Sequence, residues 1–186
     1  MSAAEPRWRW LSTREVHRGT VRIDADEVEL PGGERLTYEV DRSAPYAVAT
    51  LLATGGDVVL ARRYRYPIDR WILDLPGGAG RLSESPESAA RRAVEEELGL
   101  IADDLSPLQV FATDPGRRVA KTHLFFAPAA RPGRATTGDT TAQVSVARLP
   151  LTELDRLIAE GEILDPALLI ARAAAAAKGL LPPLGR

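Results

Sequence analysis

"GAGRLSESPESAARRAVEEELGL", from Gly78 to Leu100, is the stretch whose reading decides the fold. Ser85 followed by Pro86 reads as an N-cap with proline at the first helical position, and Gly99 suits the left-handed residue just past a helix end. These signals predict a helix over residues 86–98, preceded by a glycine-bearing loop at 77–83. Glu95, Glu96 and Glu97 fall in its last turn, where the partial negative charge of the dipole disfavours each by roughly a few tenths of a kcal/mol. Arg91 and Arg92, at helical spacing, can offset this by pairing along a solvated acidic face.

Outward from this helix, the upstream chain reads as strands. "WILDLP" (Trp71 to Pro76) ends at Gly77-Gly78, while "YAVATLLAT" (Tyr46 to Thr54) and "DVVLARRYR" (Asp57 to Arg65) are apolar, β-branched runs joined through Gly55-Gly56. Earlier still, "VRIDADEVEL" and "RLTYEV" flank Pro31-Gly32-Gly33, a hairpin signal that marks a candidate N-terminal subdomain. Downstream, strand-like runs at "LQVFAT", "KTHLFFAP" and "AQVSVARL" precede helical patterns at 151–160 and 166–177. The fold class is α/β or α+β.

Composition narrows the chemistry. The 186 residues carry a net charge of -2, which gives no reason to expect long-range attraction to nucleic acid or to an anionic membrane. With no cysteine and only His17 and His123, disulfide frameworks, thiolate metal sites and histidine-rich zinc sites are excluded, leaving hard oxygen ligands as the metal chemistry. Neither an apolar signal core nor a membrane span is visible, so the expected location is the cytoplasm.

The separations among Gly78, Glu84, Arg92, Glu96, Glu97 and Gly99 match the Nudix box, G-x5-E-x7-R-E-U-x-E-E-x-G-U, with Val94 and Leu100 at the apolar U positions. Every typed position except the one at Ala93 is met. The chain thus resembles the Nudix superfamily and, within it, the ADP-ribose pyrophosphatases. "VLARRYRYP" (Val59 to Pro67) is similar to their V-x-x-R-Q-Y-R-Y-P, "WILDLPGG" to their L-E-L-P-A-G, "FATDPG" to F-x-x-S-P-G, and "LPLTELDRLIAEGEILD" to a closing helix with an I-x-x-G-x-I-x-D ending. The resemblance implies a Nudix α/β/α sandwich with a mixed sheet, a β-rich dimerisation segment at 1–43 and a Nudix domain at 44–182, assembled as a homodimer. It also implies Mg²⁺ or Mn²⁺ held by Glu96, Glu97 and the backbone at Gly77. Glu84 would support the metal and Asp139 would place the attacking water. Gly78, Arg62, Arg65, Arg81 and Arg117 would lie toward a nucleoside-diphosphate-linked small molecule.

Departures from the pattern fall on acids or beside them. Ala93 stands where the box has a glutamate that is usually a metal ligand, Arg81 stands three residues before Glu84 where many members carry an acid, and Ser83 replaces a glycine. Ala120 replaces an acid after Pro115-Gly116, and in the loop at 138–146 only Asp139 can substitute for the family's glutamates. Arg81, Arg117, Arg118 and Lys121 either supply positive charge to a phosphate without metal or are ordinary surface charge. Two functions therefore stand open: an attenuated Mg²⁺-dependent diphosphate hydrolase, or a catalytically inactive nucleotide-type ligand-binding or regulatory module. A fold repurposed for other chemistry is a third, with no residue constellation to name it.

Overall fold

The computed structural model describes residues 5–133 and 144–184. The chain opens with three strands, β1 (Arg9–Arg18), β2 (Arg22–Glu29) and β3 (Arg35–Asp41), paired antiparallel in that order as a separate sheet. The central sheet is built from β4 (Tyr46–Thr54), β5 (Asp57–Arg65), β6 (Arg70–Asp74), β7 (Gly77–Ala79), β9 (Ser106–Ala112), β10 (Lys121–Ala127) and β12 (Val144–Pro150). Its main path runs β12-β5-β4-β10-β9, with β6 on β5 and β7 on β4. The sheet is mixed because β4 and β10 run parallel while its other pairs are antiparallel. Two short strands, β8 (Leu100–Ile101) and β11 (Arg131–Pro132), pair with each other. The helices are α1 (Pro86–Leu98), α2 (Leu151–Ala159) and α3 (Pro166–Ala177).

Alternation along the strands produces the layers. Phe126, Leu51 and Leu60 pack in one core with Leu154 of α2 and Leu168, Ala171 and Ala175 of α3. Their chain neighbours point to the opposite face: Phe125 packs with Ala89, Ala90 and Ala93 of α1, and Leu52, Val59 and Ala61 with Val94 and Leu98. The result is the expected α/β/α sandwich. Each fully buried leucine contributes about 1.5–3 kcal/mol. The alanines on the inner face of α1 present no bulk, so that helix lies close to the sheet.

Local signals set the boundaries of α1. The Ser85 hydroxyl accepts from the Ser88 N–H at 3.1 Å, and Gly99, at φ 64°, donates its N–H to Glu95 O at 2.9 Å. Between β4 and β5, Gly55 and Gly56 both adopt positive φ, the conformation a tight hairpin demands. At the other end, Asp165 caps α3 and also accepts from the Leu75 N–H at 3.2 Å, tying that helix to the strand that leads into the glycine loop. Arg172 is fully buried, forked onto Asp155 at 2.7 and 2.8 Å, and donates to Pro182 O at 2.9 Å, which fixes α2, α3 and the C-terminal segment together.

The structure departs from the sequence expectations in the strands. β1, with no clean apolar alternation and two register shifts against β2, was not anticipated, and the loop at 77–83 begins with the short strand β7. β7 lies so near β4 that a Cβ on Gly77 would meet the carbonyl of Val48. Among the described residues, no helix is long and apolar enough to cross a membrane.

Candidate active site

The box helix, the glycine loop and strand β5 converge on two linked sets of charges. In the first, Arg63 of β5 donates from Nε to Asp74 Oδ1 at 2.9 Å and forks end-on onto Glu97, from Nη1 to Oε1 at 3.1 Å and from Nη2 to Oε2 at 2.5 Å. The Gly77 N–H adds a further bond to Glu97 Oε2 at 3.1 Å, and Arg65 Nη2 bonds Asp74 Oδ2. In the second, Arg92 donates from Nε and Nη2 to the two oxygens of Glu84 at 2.8 and 3.0 Å, and from Nη1 to Glu96 at 2.9 Å.

These ion pairs are sheltered. The Asp74 side chain is 3% exposed, Arg63 10% and Glu97 19%. Burial pushes the Asp74 carboxyl above its usual range, although Arg63 and Arg65 pull the other way. Burial likewise works against the charge on Arg63, but its hydrogen bonds to Glu97 and the neighbouring carboxylates more than compensate and hold it firmly protonated. Glu84 is held below the usual carboxylate range, first by the Arg92 hydrogen bond and also by the charge of Arg81. The Tyr46 hydroxyl donates to Glu84 O at 2.5 Å, with its ring edge-on to His123 at 5.7 Å, so the loop ahead of α1 is braced from β4.

Of the residues singled out from sequence, Gly77, Glu84, Glu96 and Glu97 meet around Arg63 and Arg92, with Arg81 beside Glu84 and Gly78 in β7 opposite Val48. Arg65 joins them through Asp74. Arg62 does not: its guanidinium lies 4.8 Å from the centre of the Trp71 ring. Arg117 lines a different cleft, of about 710 Å³, with Ile23, Thr37, Tyr38, Asp41 and Gly116, and Arg118 pairs with Asp41 at 3.1 Å. Asp139 lies outside the described residues. Arg63, Asp74 and Tyr46 were missed as site residues. A signal existed for the first, since Arg63 stands where the resembling segment carries glutamine.

Ala93 is 5% exposed and packed with Val48 and Phe125, so an apolar methyl occupies the helix position that would carry the third carboxylate. Both oxygens of Glu97 and both of Glu84 already accept from guanidinium groups. Among the described residues, no group of three or more acidic or histidine side chains is arranged to hold a metal. One buried side-chain polar atom among them has no partner, the Thr50 hydroxyl of β4, and a single neutral oxygen makes no coordination shell. In this arrangement the residues do not fit a divalent cation.

Comparison with known proteins agrees with the fold and the box. The chain is 32% identical to the methanol dehydrogenase activator of Bacillus methanolicus over 164 residues, covering 87% of this chain and 88% of that protein. It is 36% identical to the ADP-ribose pyrophosphatase of Bacillus subtilis (strain 168) over 120 residues, covering 63% and 64% respectively. A crystal structure of an ADP compounds hydrolase superposes with a TM-score of 0.80 at 24% identity, covering 97% of this chain and all of that one, a likeness of fold. The sequence profile of the NUDIX domain matches residues 43–169, the span that holds the central sheet, the glycine loop and the box helix, and on that match the chain belongs to the Nudix family.

Proposed function

We propose that this protein takes a nucleoside-diphosphate-linked small molecule and that hydrolysis of the diphosphate is attenuated, because the acid centre does not fit the divalent ion that the box resemblance implies. The observation that carries the reading is the engagement of Glu97 by Arg63 beside an alanine at position 93, which leaves the box helix without a free, convergent set of carboxylates. The substrate class is supported by relatives named as ADP-ribose pyrophosphatases, and Mg²⁺ or Mn²⁺ is the ion implied by the box resemblance. Arg65 and Arg81, at the edge of the acid centre, supply cationic groups for phosphate oxygens. Residues 1–43 form a dimerisation segment in this reading and 44–182 the Nudix domain, with residence in the cytoplasm.

A second reading, a ligand-binding or regulatory module without turnover, is favoured by the similarity to a protein named as an activator over most of both chains. One experiment separates the two. Purified protein is incubated with ADP-ribose and Mg²⁺ or Mn²⁺, AMP is quantified, and ADP-ribose binding is followed by calorimetry. Attenuated hydrolysis predicts binding with AMP release at about 0.01 s⁻¹ or slower, well under the ordinary enzyme range. Binding with no AMP at all selects the second reading. Turnover of about 1 s⁻¹ or faster overturns the attenuation.

A further inference from the structure

Asp74 and Glu97 reach the centre from different elements, one at the end of β6 and the other in the last turn of α1, and Arg63 stands between them. Its guanidinium uses Nε for Asp74 and both terminal nitrogens for Glu97, so the planar fork is matched on two sides. Gly77 meets Glu97 through its N–H, giving the carboxylate a third donor. The group is sheltered from water; Arg65 also pairs with Asp74, but only Arg63 touches both Asp74 and Glu97, and without it the two carboxylates would lack a shared cation.

We propose that Arg63 is the resident cation of the acidic centre. It fills, with its own charge, the position between Asp74, Glu97 and the glycine loop that a divalent ion would need, so the centre is complete without metal. The corollary is that neutralising Arg63 converts the centre into a divalent-cation site. An arginine is a fixed cation whose charge does not depend on metal supply, and a divalent ion approaching it meets both repulsion and occupied oxygens. The proposal rests on the same Arg63–Glu97 contact as the functional reading. Its test uses no nucleotide, so cation binding by the centre and turnover of ADP-ribose are read separately.

Mn²⁺ alone is the probe. It is titrated by calorimetry into the natural protein, Arg63→Lys and Arg63→Gln, and the melting temperature of each is measured in Mn²⁺ and in EDTA. The natural protein and Arg63→Lys are expected to melt at the same temperature in both. Arg63→Gln is expected to melt lower in EDTA, to recover by about 4 °C or more with Mn²⁺, and to bind it at least about tenfold more tightly than the natural protein. If Arg63→Gln is unfolded in EDTA, refolding on addition of Mn²⁺ supports the proposal and failure to refold overturns it. A folded Arg63→Gln that binds Mn²⁺ no more tightly, or a natural protein stabilised by Mn²⁺ to the same degree, also overturns it.

Discussion

Several carboxylates reach their folded-state ionisation through single partners, and the pH dependence of stability follows from them. Hydrogen bonds from Arg42, at 2.7 and 3.1 Å, hold Asp26 below its usual range, and the Thr13 hydroxyl adds to them. The Ser43 hydroxyl does the same for Asp41, with the Arg118 charge behind it, as Arg92 does for Glu84. For a carboxyl depressed in the folded state, the stabilisation is complete above its unfolded value and vanishes as pH falls through the folded one. Asp74, raised by burial, works in the opposite sense: its protonation favours the folded chain, so it opposes the loss. Glu15, Glu29, Asp103 and Glu153 are depressed as well, so with seven depressed carboxyls among the described residues against one raised, the melting temperature is expected to hold steady down to about pH 5 and drop below it. Thermal unfolding followed between about pH 6 and about pH 3 checks this, and a flat profile would count against these pairings. The box acids at 84, 96 and 97 were legible because a motif with fixed spacing names them. For Arg63 the sequence marked only a departure from glutamine; its pairing with Glu97 was not legible, because the two lie 34 positions apart and no local period links a strand residue to a helix end.

At the scale of elements, the glycine loop is held by packing as much as by hydrogen bonds. A Cβ on Gly80 would land in the ring of Tyr46, the residue whose hydroxyl bonds Glu84 O and whose edge meets His123. Gly80→Ala must therefore expel that ring and lose the brace on the loop, lowering stability by about 1–3 kcal/mol. Tyr46→Phe keeps the ring and loses only the hydroxyl bond, with an expected cost of about 1 kcal/mol. Urea unfolding midpoints compare the two, and equal losses would show that the loop does not depend on the ring. Helices α1 and α3 and strands β4 and β5 begin and end where capping residues, glycine pairs and apolar runs say they should. The short strands β7, β8 and β11 were not legible, since two or three residues carry no period of their own. β1 escaped for a different reason. It is exposed along almost its whole length, so neither face selects apolar residues, and its two bulges break whatever alternation remains.

For the whole molecule, that exposure bears on assembly. β1 lies at the outer edge of its sheet, with Trp8 51% exposed just ahead of it and Trp10, 61% exposed, and Val16 within it also open to solvent. Aromatic surface of this kind along a strand whose outer edge is unpaired favours a partner, and the proposed partner is a second copy of the chain. Light scattering at micromolar concentration is expected to give twice the chain mass, with Trp8→Ser and Trp10→Ser together shifting it toward one. A single-chain mass for the natural protein would remove the dimer. The parallel pairing of Tyr46–Leu52 with Lys121–Ala127 also sets an order in time. Hairpins β2–β3 and β4–β5 join near neighbours and can close as soon as they leave the ribosome, as can the β5–β6–α1 stretch that carries Arg63, Asp74 and Glu97. The central pair must wait for residue 127, with the entropy of a long loop against it. During synthesis every residue of the charged centre is therefore available before β10 is, and until β10 arrives the apolar inner face of α1 has no Phe125 to cover it.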